Sequence, residues 1–145
     1  GRTLLLHCDF VYAGQGSRFR MPFVELVLCP EGASSHLLER VVGPRKALDW
    51  LMSARFFDCD EAFAAGLLTA AAPQGQALDM ARATANNLSR LPGTSLRATK
   101  RMPAPAGKAA VQAALDDEVR NFAALINSEA TQAIFKSFLN KSGRR

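Results

Sequence analysis

The chain is poor in the side chains that build metal sites and disulfide frameworks. Its 145 residues hold three cysteines, Cys8, Cys29 and Cys59, and two histidines, His7 and His36. An odd cysteine count with no Cys-x-x-Cys pair excludes a disulfide framework and fits a reducing compartment. The spacings do not make a zinc site, so all five side chains read as packing or surface residues. With one Tyr and one Trp, there is no aromatic–basic interleaving of the RNA-binding kind. No apolar run approaches the roughly 20 residues that a membrane span needs. The longest uncharged stretch, residues 62–78, is rich in Ala and Gly and contains Pro73. Gly1-Arg2-Thr3 runs directly into Leu4-Leu5-Leu6, without the pattern of a secretory signal, so no such leader is expected.

What is present fits one globular domain: 48% hydrophobic and 21% charged residues. The net charge is +5 and the pI about 9.6. That excess suits nucleic acid, an anionic membrane or a phosphate-bearing small molecule. Cations cluster at Arg97, Lys100 and Arg101, and again at Lys136, Lys141, Arg144 and Arg145. With aromatics so sparse, a small phosphorylated ligand fits at least as well as nucleic acid, and neither nucleic acid nor membrane is expected as partner.

Along the chain, residues 3–13 form a mostly apolar run, predicted as a strand buried on both faces. A turn at 14–17 leads to a second strand over 18–24. A helix is expected over 34–42. Gly43-Pro44 stops it and opens the next helix, with a stripe of Ala47, Leu48, Leu51 and Met52. Asp58 suits the N-cap of a helix over 60–65, with Gly66 just past its end. A strand over 67–72 ends at Pro73. Everything after Pro73 reads as helical. Leu78, Ala81, Ala85 and Leu88 share one face, and a short basic helix covers 94–102. Val111, Leu115, Val119, Phe122 and Ile126 line a long helix, and Ser128 caps a last one carrying Phe138. These stripes exceed what residues 1–73 can cover, so self-association through 74–145 is expected.

Order and spacing carry a resemblance. Cys8-Asp9-Phe10-Val11-Tyr12-Ala13 is followed by Phe19, Pro22-Phe23 and Leu28-Cys29-Pro30-Glu31-Gly32-Ala33-Ser34-Ser35. Val42-Gly43, Ala47, Glu61-Ala62-x-x-x-Gly66-Leu67 and Leu96-Arg97-x-x-Lys100 then fall in register. Together these resemble the enoyl-CoA hydratase/isomerase (crotonase) superfamily over nearly the whole chain. The resemblance implies an α/β fold, the C-terminal half of a crotonase-like spiral of strand-strand-helix turns. Residues 1–73 would be the second half of the spiral core. Residues 74–145 would be the all-helical oligomerisation region of a homotrimer or hexamer. Family members form an oxyanion hole from two backbone N–H groups. Both would lie upstream of Gly1, so an N-terminal half is expected to supply them.

The same resemblance implies the chemistry. The two glutamates of the family's hydratases would fall at Thr3 and Phe23, neither of them acidic. Glu31, in Pro-Glu-Gly, stands where peroxisomal-type Δ3,Δ2-enoyl-CoA isomerases carry their catalytic base. Glu118, Phe122, Leu125, Ser128-Glu129-Ala130 and Phe138 resemble that branch too. The expected reaction shifts a 3-enoyl-CoA double bond to the 2-position, with Glu31 as proton shuttle. Phe23 and Leu28 would line the substrate pocket. Phe138 and Lys141 match the Phe-x-x-Lys pair that meets the CoA adenosine phosphate, and Lys100 is a further CoA-binding candidate. No cofactor is expected beyond the CoA of the acyl-CoA substrate itself.

Other readings stand beside this one. Glu31 could be an acidic residue near a helix N-terminus, worth a few tenths to about 1 kcal/mol. An apolar pocket would raise its pKa, whereas a helix N-terminus would lower it. Glu25 reads better as the partner of a basic side chain. Ser34, Ser35 and His36 are adjacent on a helix and cannot face one another, and no nucleophile elbow is present. A non-catalytic acyl-CoA-binding module, a hydratase and a thioester hydrolase are the alternative functions. The Ala- and Arg-rich composition leans to a bacterial cytoplasmic protein, with peroxisome and mitochondrion left open.

Overall fold

The computed structural model describes residues 3–102 and 105–142. Strand β1 (Tyr12–Gly14) pairs in parallel with β4 (Ala70–Ala72), in the register Tyr12↔Ala70 and Gly14↔Ala72. Strand β2 (Arg18–Phe19) pairs antiparallel with β3 (Phe57–Asp58). Helices α1 (Ser34–Val42), α2 (Pro44–Ser53) and α3 (Cys59–Ala64) fill the crossover. Four helices follow: α4 (Ala77–Ser89), α5 (Gly93–Arg101), α6 (Pro105–Ile126) and α7 (Glu129–Ser142). Short strands and dominant helices agree with the mixed α/β class expected from the sequence.

Several local signals act as expected. Pro44 opens α2 directly after Gly43. The Asp58 carboxylate accepts the Glu61 N–H at 2.8 Å, capping α3. Ser128 Oγ accepts the Thr131 N–H at 3.3 Å at the start of α7. At Gly66, φ is +86°, and a Cβ there would come within 3.3 Å of the Val41 carbonyl.

The strand expected over 3–13 is not formed as such. Thr3–His7 is a 3-10 turn, and only Tyr12–Gly14 is strand. Leu4 and Phe10 are 65% and 47% exposed, not buried. An unbroken apolar run has no period, and its partners decide its form. Here the turn packs on α1, with Leu5 and Leu6 against the core. The second strand shrinks to Arg18–Phe19 because residues 24–26 coil into another 3-10 turn, followed by Val27 at φ 55°. On α2 the buried stripe is Ala47, Trp50 and Leu51, while Leu48 and Met52 face out. Burying the largest ring in the chain rotates the helix about its axis relative to the expected stripe.

The core sits between the strands and α1–α3. Met21, Leu38 and Trp50 are wholly buried there. The Trp50 ring stacks on Phe57 at 3.7 Å between centroids and 2° between planes, and Phe57 stacks on Phe19 at 5.5 Å. Trp50 Nε1 donates to Glu61 Oε1 at 3.1 Å. Arg55 bridges Asp49 and Glu61 at 2.5 Å each, and Lys46 reaches Glu61 at 3.1 Å. The Arg55 hydrogen bond holds Glu61 down to about 2, against a partial opposing effect of burial. The hydrogen bonds from Trp50 and Lys46 add to the lowering.

A pH dependence follows from that depression. Stability from Glu61 is present above the ordinary value of 4.5 and is lost as pH falls towards about 2. With solvent screening of a half-exposed network, the loss should be on the order of 1–2 kcal/mol. Urea midpoints at pH 6 and pH 3 test it: Glu61→Gln should show a smaller drop than the parent chain. Equal drops would remove Glu61 as the source.

Helix α6 packs on α1, and α4 packs on β1, where Tyr12 Oη and Thr84 Oγ1 lie 2.7 Å apart. Leu78, Leu91, Val119, Phe138 and Leu139 are each more than half exposed on or beside these later helices. No helix among the described residues is long and apolar enough to cross a membrane.

Candidate active site

The turn that enters α1 gathers the polar groups. Gly32 and Ala33 both take positive φ, +66° and +58°. Two successive left-handed residues bring the chain sharply round before the helix begins. For Ala33 that conformation costs on the order of 1–2 kcal/mol, so its surroundings must hold it there. Glycine is needed at 32 for space as well. A Cβ there would stand 3.2 Å from Thr3 Cβ and 3.3 Å from Thr3 Oγ1.

Three side chains from two elements remote in sequence, the Thr3–His7 turn and α6, fix this turn. Thr3 Oγ1 donates to Glu31 Oε1 at 2.7 Å. His7 Nε2 donates to the Gly32 carbonyl at 2.8 Å. From α6, the buried Glu118 carboxylate accepts the Ala33 N–H at 2.6 Å, the Ser35 N–H at 2.9 Å and the Ser35 hydroxyl at 2.6 Å. The open N–H groups at the start of α1 are therefore met by Glu118. The Glu31 carboxylate points instead to Thr3.

Beside the turn lies a cavity of about 460 Å3. Glu31 and Gly32 form one side, and Leu115, Val119 and Phe122 of α6 form an apolar wall opposite. An accessible carboxylate set against an apolar wall can take a proton from a bound carbon acid and return it nearby. Cys29 has its Sγ 3.7 Å from the Glu118 carbonyl. Burial, and to a lesser degree the Glu118 charge, push its thiol up, which disfavours the thiolate. Ser34 Oγ and His36 Nε2 are buried without hydrogen-bond partners, so the Ser–His alternative has no geometry behind it. Among the described residues, no group of His, Cys, Asp and Glu could hold a metal ion.

The other candidates are dispersed. Phe23 is buried in the core and Leu28 is half-buried, and neither is among the residues lining the cavity beside Glu31. Lys100 pairs with Asp9 at 2.5 Å, both of them exposed. It shares a second cavity of about 280 Å3 with Arg97, Arg101 and Lys108. Phe138 is 57% exposed on α7. Lys141 falls on the last turn of α7, and its side chain lies outside those described. Sequence reasoning had no role for His7 and noted Thr3 only for its missing acid. Glu118 entered the sequence reading as part of the isomerase-branch resemblance, without the capping contact it makes here.

Comparison with known proteins places these residues in context. The family model for enoyl-CoA hydratase/isomerase matches residues 1–144. A probable enoyl-CoA hydratase of Mycobacterium bovis is 28% identical over 141 residues, covering 97% of this chain and 55% of that protein. The peroxisomal enoyl-CoA delta isomerase 3 of Mus musculus is 33% identical over 72 residues, half of this chain and 23% of the mouse protein. A solved enoyl-CoA hydratase/isomerase from Pseudoalteromonas atlantica T6c superposes with a TM-score of 0.91 at 35% identity. That match covers 97% of this chain and 57% of the other. The chain thus spans about half the length of the mycobacterial and Pseudoalteromonas relatives.

Proposed function

Because the chain belongs to the enoyl-CoA hydratase/isomerase family, we propose that it carries the proton-transfer site of an enoyl-CoA isomerase, with Glu31 as the base. One observation supports this most. Glu31 lines the apolar cavity, while Thr3 and Phe23, where the family resemblance would put the hydratase glutamates, are a hydroxyl bonded to Glu31 and a buried ring.

In this mechanism a 3-enoyl-CoA lies along the α6 wall. The Glu31 carboxylate removes the proton from C2, and the C–H electron pair passes into the thioester as an enolate. An N-terminal half of the family fold would supply the backbone donors for that charge, typically the largest single stabilisation. The Glu31 carboxylic acid then protonates C4, which leaves the double bond at C2 and the carboxylate regenerated. Thr3 steadies the carboxylate by donating a hydrogen bond and leaves the second oxygen for the substrate.

A hydratase reading is favoured by the relatives' names, several of which are enoyl-CoA hydratases. The assay separates the two. Given a 3-enoyl-CoA, the protein encoded by the full reading frame should produce the absorbance of a conjugated thioester. Given a 2-enoyl-CoA, a hydratase would instead consume that absorbance. Rapid consumption with no isomerisation would overturn the proposal.

Self-association belongs to the same reading. The exposed apolar residues after Pro73 are proposed to pack in a trimer through residues 74–145. Sedimentation should give three times the monomer mass at micromolar concentration, and a compact monomer would refute it.

A further inference from the structure

We infer that Glu118 is a positioning residue for Glu31, locking the strained turn on which that carboxylate is carried; this rests on the isomerase reading above. The argument begins with what Glu118 is doing inside the protein. It is 6% exposed, in the middle of a helix whose other inward residues are apolar. A carboxylate is costly to bury unless hydrogen bonds replace its water. Here three donors do so, all from Ala33 and Ser35, residues 83 to 85 positions away in sequence.

The donors are not placed at random along α1. Ala33 is the left-handed residue, and its N–H makes the 2.6 Å bond. Without an acceptor there, nothing described on that amide opposes a return to ordinary backbone geometry. A return would swing Gly32 and Glu31, because the three residues share consecutive peptide planes. Glu31 would then leave Thr3 Oγ1 and shift along the cavity wall. Leu115, Val119 and Phe122 flank Glu118 on that wall. One residue of α6 therefore sets the distance between the base and the surface the acyl chain would lie on.

Glutamine at 118 tests this directly. Its one amide oxygen can serve only one side, and placed on Ser35, where it still accepts both the N–H and the hydroxyl, it leaves the NH2 facing the Ala33 N–H, donor against donor. The α1 start keeps most of its cap while the turn loses its anchor. In the protein encoded by the full reading frame, Glu118→Gln should lower kcat by about 10- to 100-fold with KM for 3-enoyl-CoA within about twofold, the pattern of misplaced chemistry. Ser35→Ala leaves both N–H bonds to Glu118 and should keep kcat within about twofold. Should Glu118→Gln fail to fold, Glu118→Asp carries the test. Its carboxylate is one methylene short of Ala33, and the same kcat loss at constant KM is expected.

Glu31→Gln is measured alongside. If it keeps the parent rate, the isomerase reading fails and this inference with it. If Glu31→Gln is inactive while folded Glu118→Gln or Glu118→Asp keeps kcat within twofold, the isomerase reading stands and the positioning role is overturned. A lower melting temperature with kcat per folded molecule unchanged overturns that role as well: Glu118 would be a structural buried acid only.

Discussion

Replacing Glu31 by Gln is expected to reduce isomerisation by about 10²- to 10⁴-fold, the usual worth of a positioned general base. Binding of acyl-CoA should change by only a few-fold. Glutamine keeps the shape and can still accept the Thr3 hydroxyl, as Glu31 does at 2.7 Å. It cannot take a proton from C2. A substitute is not at hand. Thr3 and Phe23 are not acids, and Glu118 spends its oxygens on three donors of the α1 entrance. Conversion of a 3-enoyl-CoA to its conjugated isomer, followed by absorbance, gives the rate. Calorimetric titration with a non-isomerisable acyl-CoA gives the binding. A variant that turns over near the parent rate means the base lies elsewhere.

The largest stability loss from a single truncation is expected at Trp50. Its side chain is wholly buried, stacked 3.7 Å from Phe57, and donates to Glu61. Trp50→Ala removes the stacking, leaves a cavity and strips Glu61 of a donor. Truncations of this class cost about 3–5 kcal/mol. Trp50→Phe keeps an aromatic face for Phe57 and loses only the indole N–H, so about 1 kcal/mol plus a packing mismatch is expected. Trp50 is the only tryptophan, so unfolding must be followed by circular dichroism. A Trp50→Ala midpoint within error of the parent would mean that the stack contributes little.

The helices were legible because their signals are local. Gly43-Pro44, the Asp58 cap and Ser128 need no distant partner, and each sits where the sequence put it. The first segment was not, because Thr3–His7 takes its form from contacts with α1 and the Glu31–Gly32 turn. Stripe periodicity on α2 was right in kind and turned in phase, since it weighed Leu48 and Met52 equally with Trp50. At the site, Glu31 could be picked out from Pro-Glu-Gly and the resemblance. His7 and Glu118 could not be joined to it, because hydrogen bonds spanning 25 and 83 to 85 residues leave no trace in spacing.

The tie between α6 and the α1 entrance also orders events in time. Ala33 and Glu118 are 85 residues apart. At roughly 5–20 residues per second of synthesis, about 4–17 s separate their emergence from the ribosome. Strands β1 and β4, and α1–α3 between them, are complete by Ala72, well before that. For those seconds the scaffold can close around Trp50 while the Ala33 amide has only water as its acceptor. The turn that carries Glu31 can receive its last fastening only once α6 has been made.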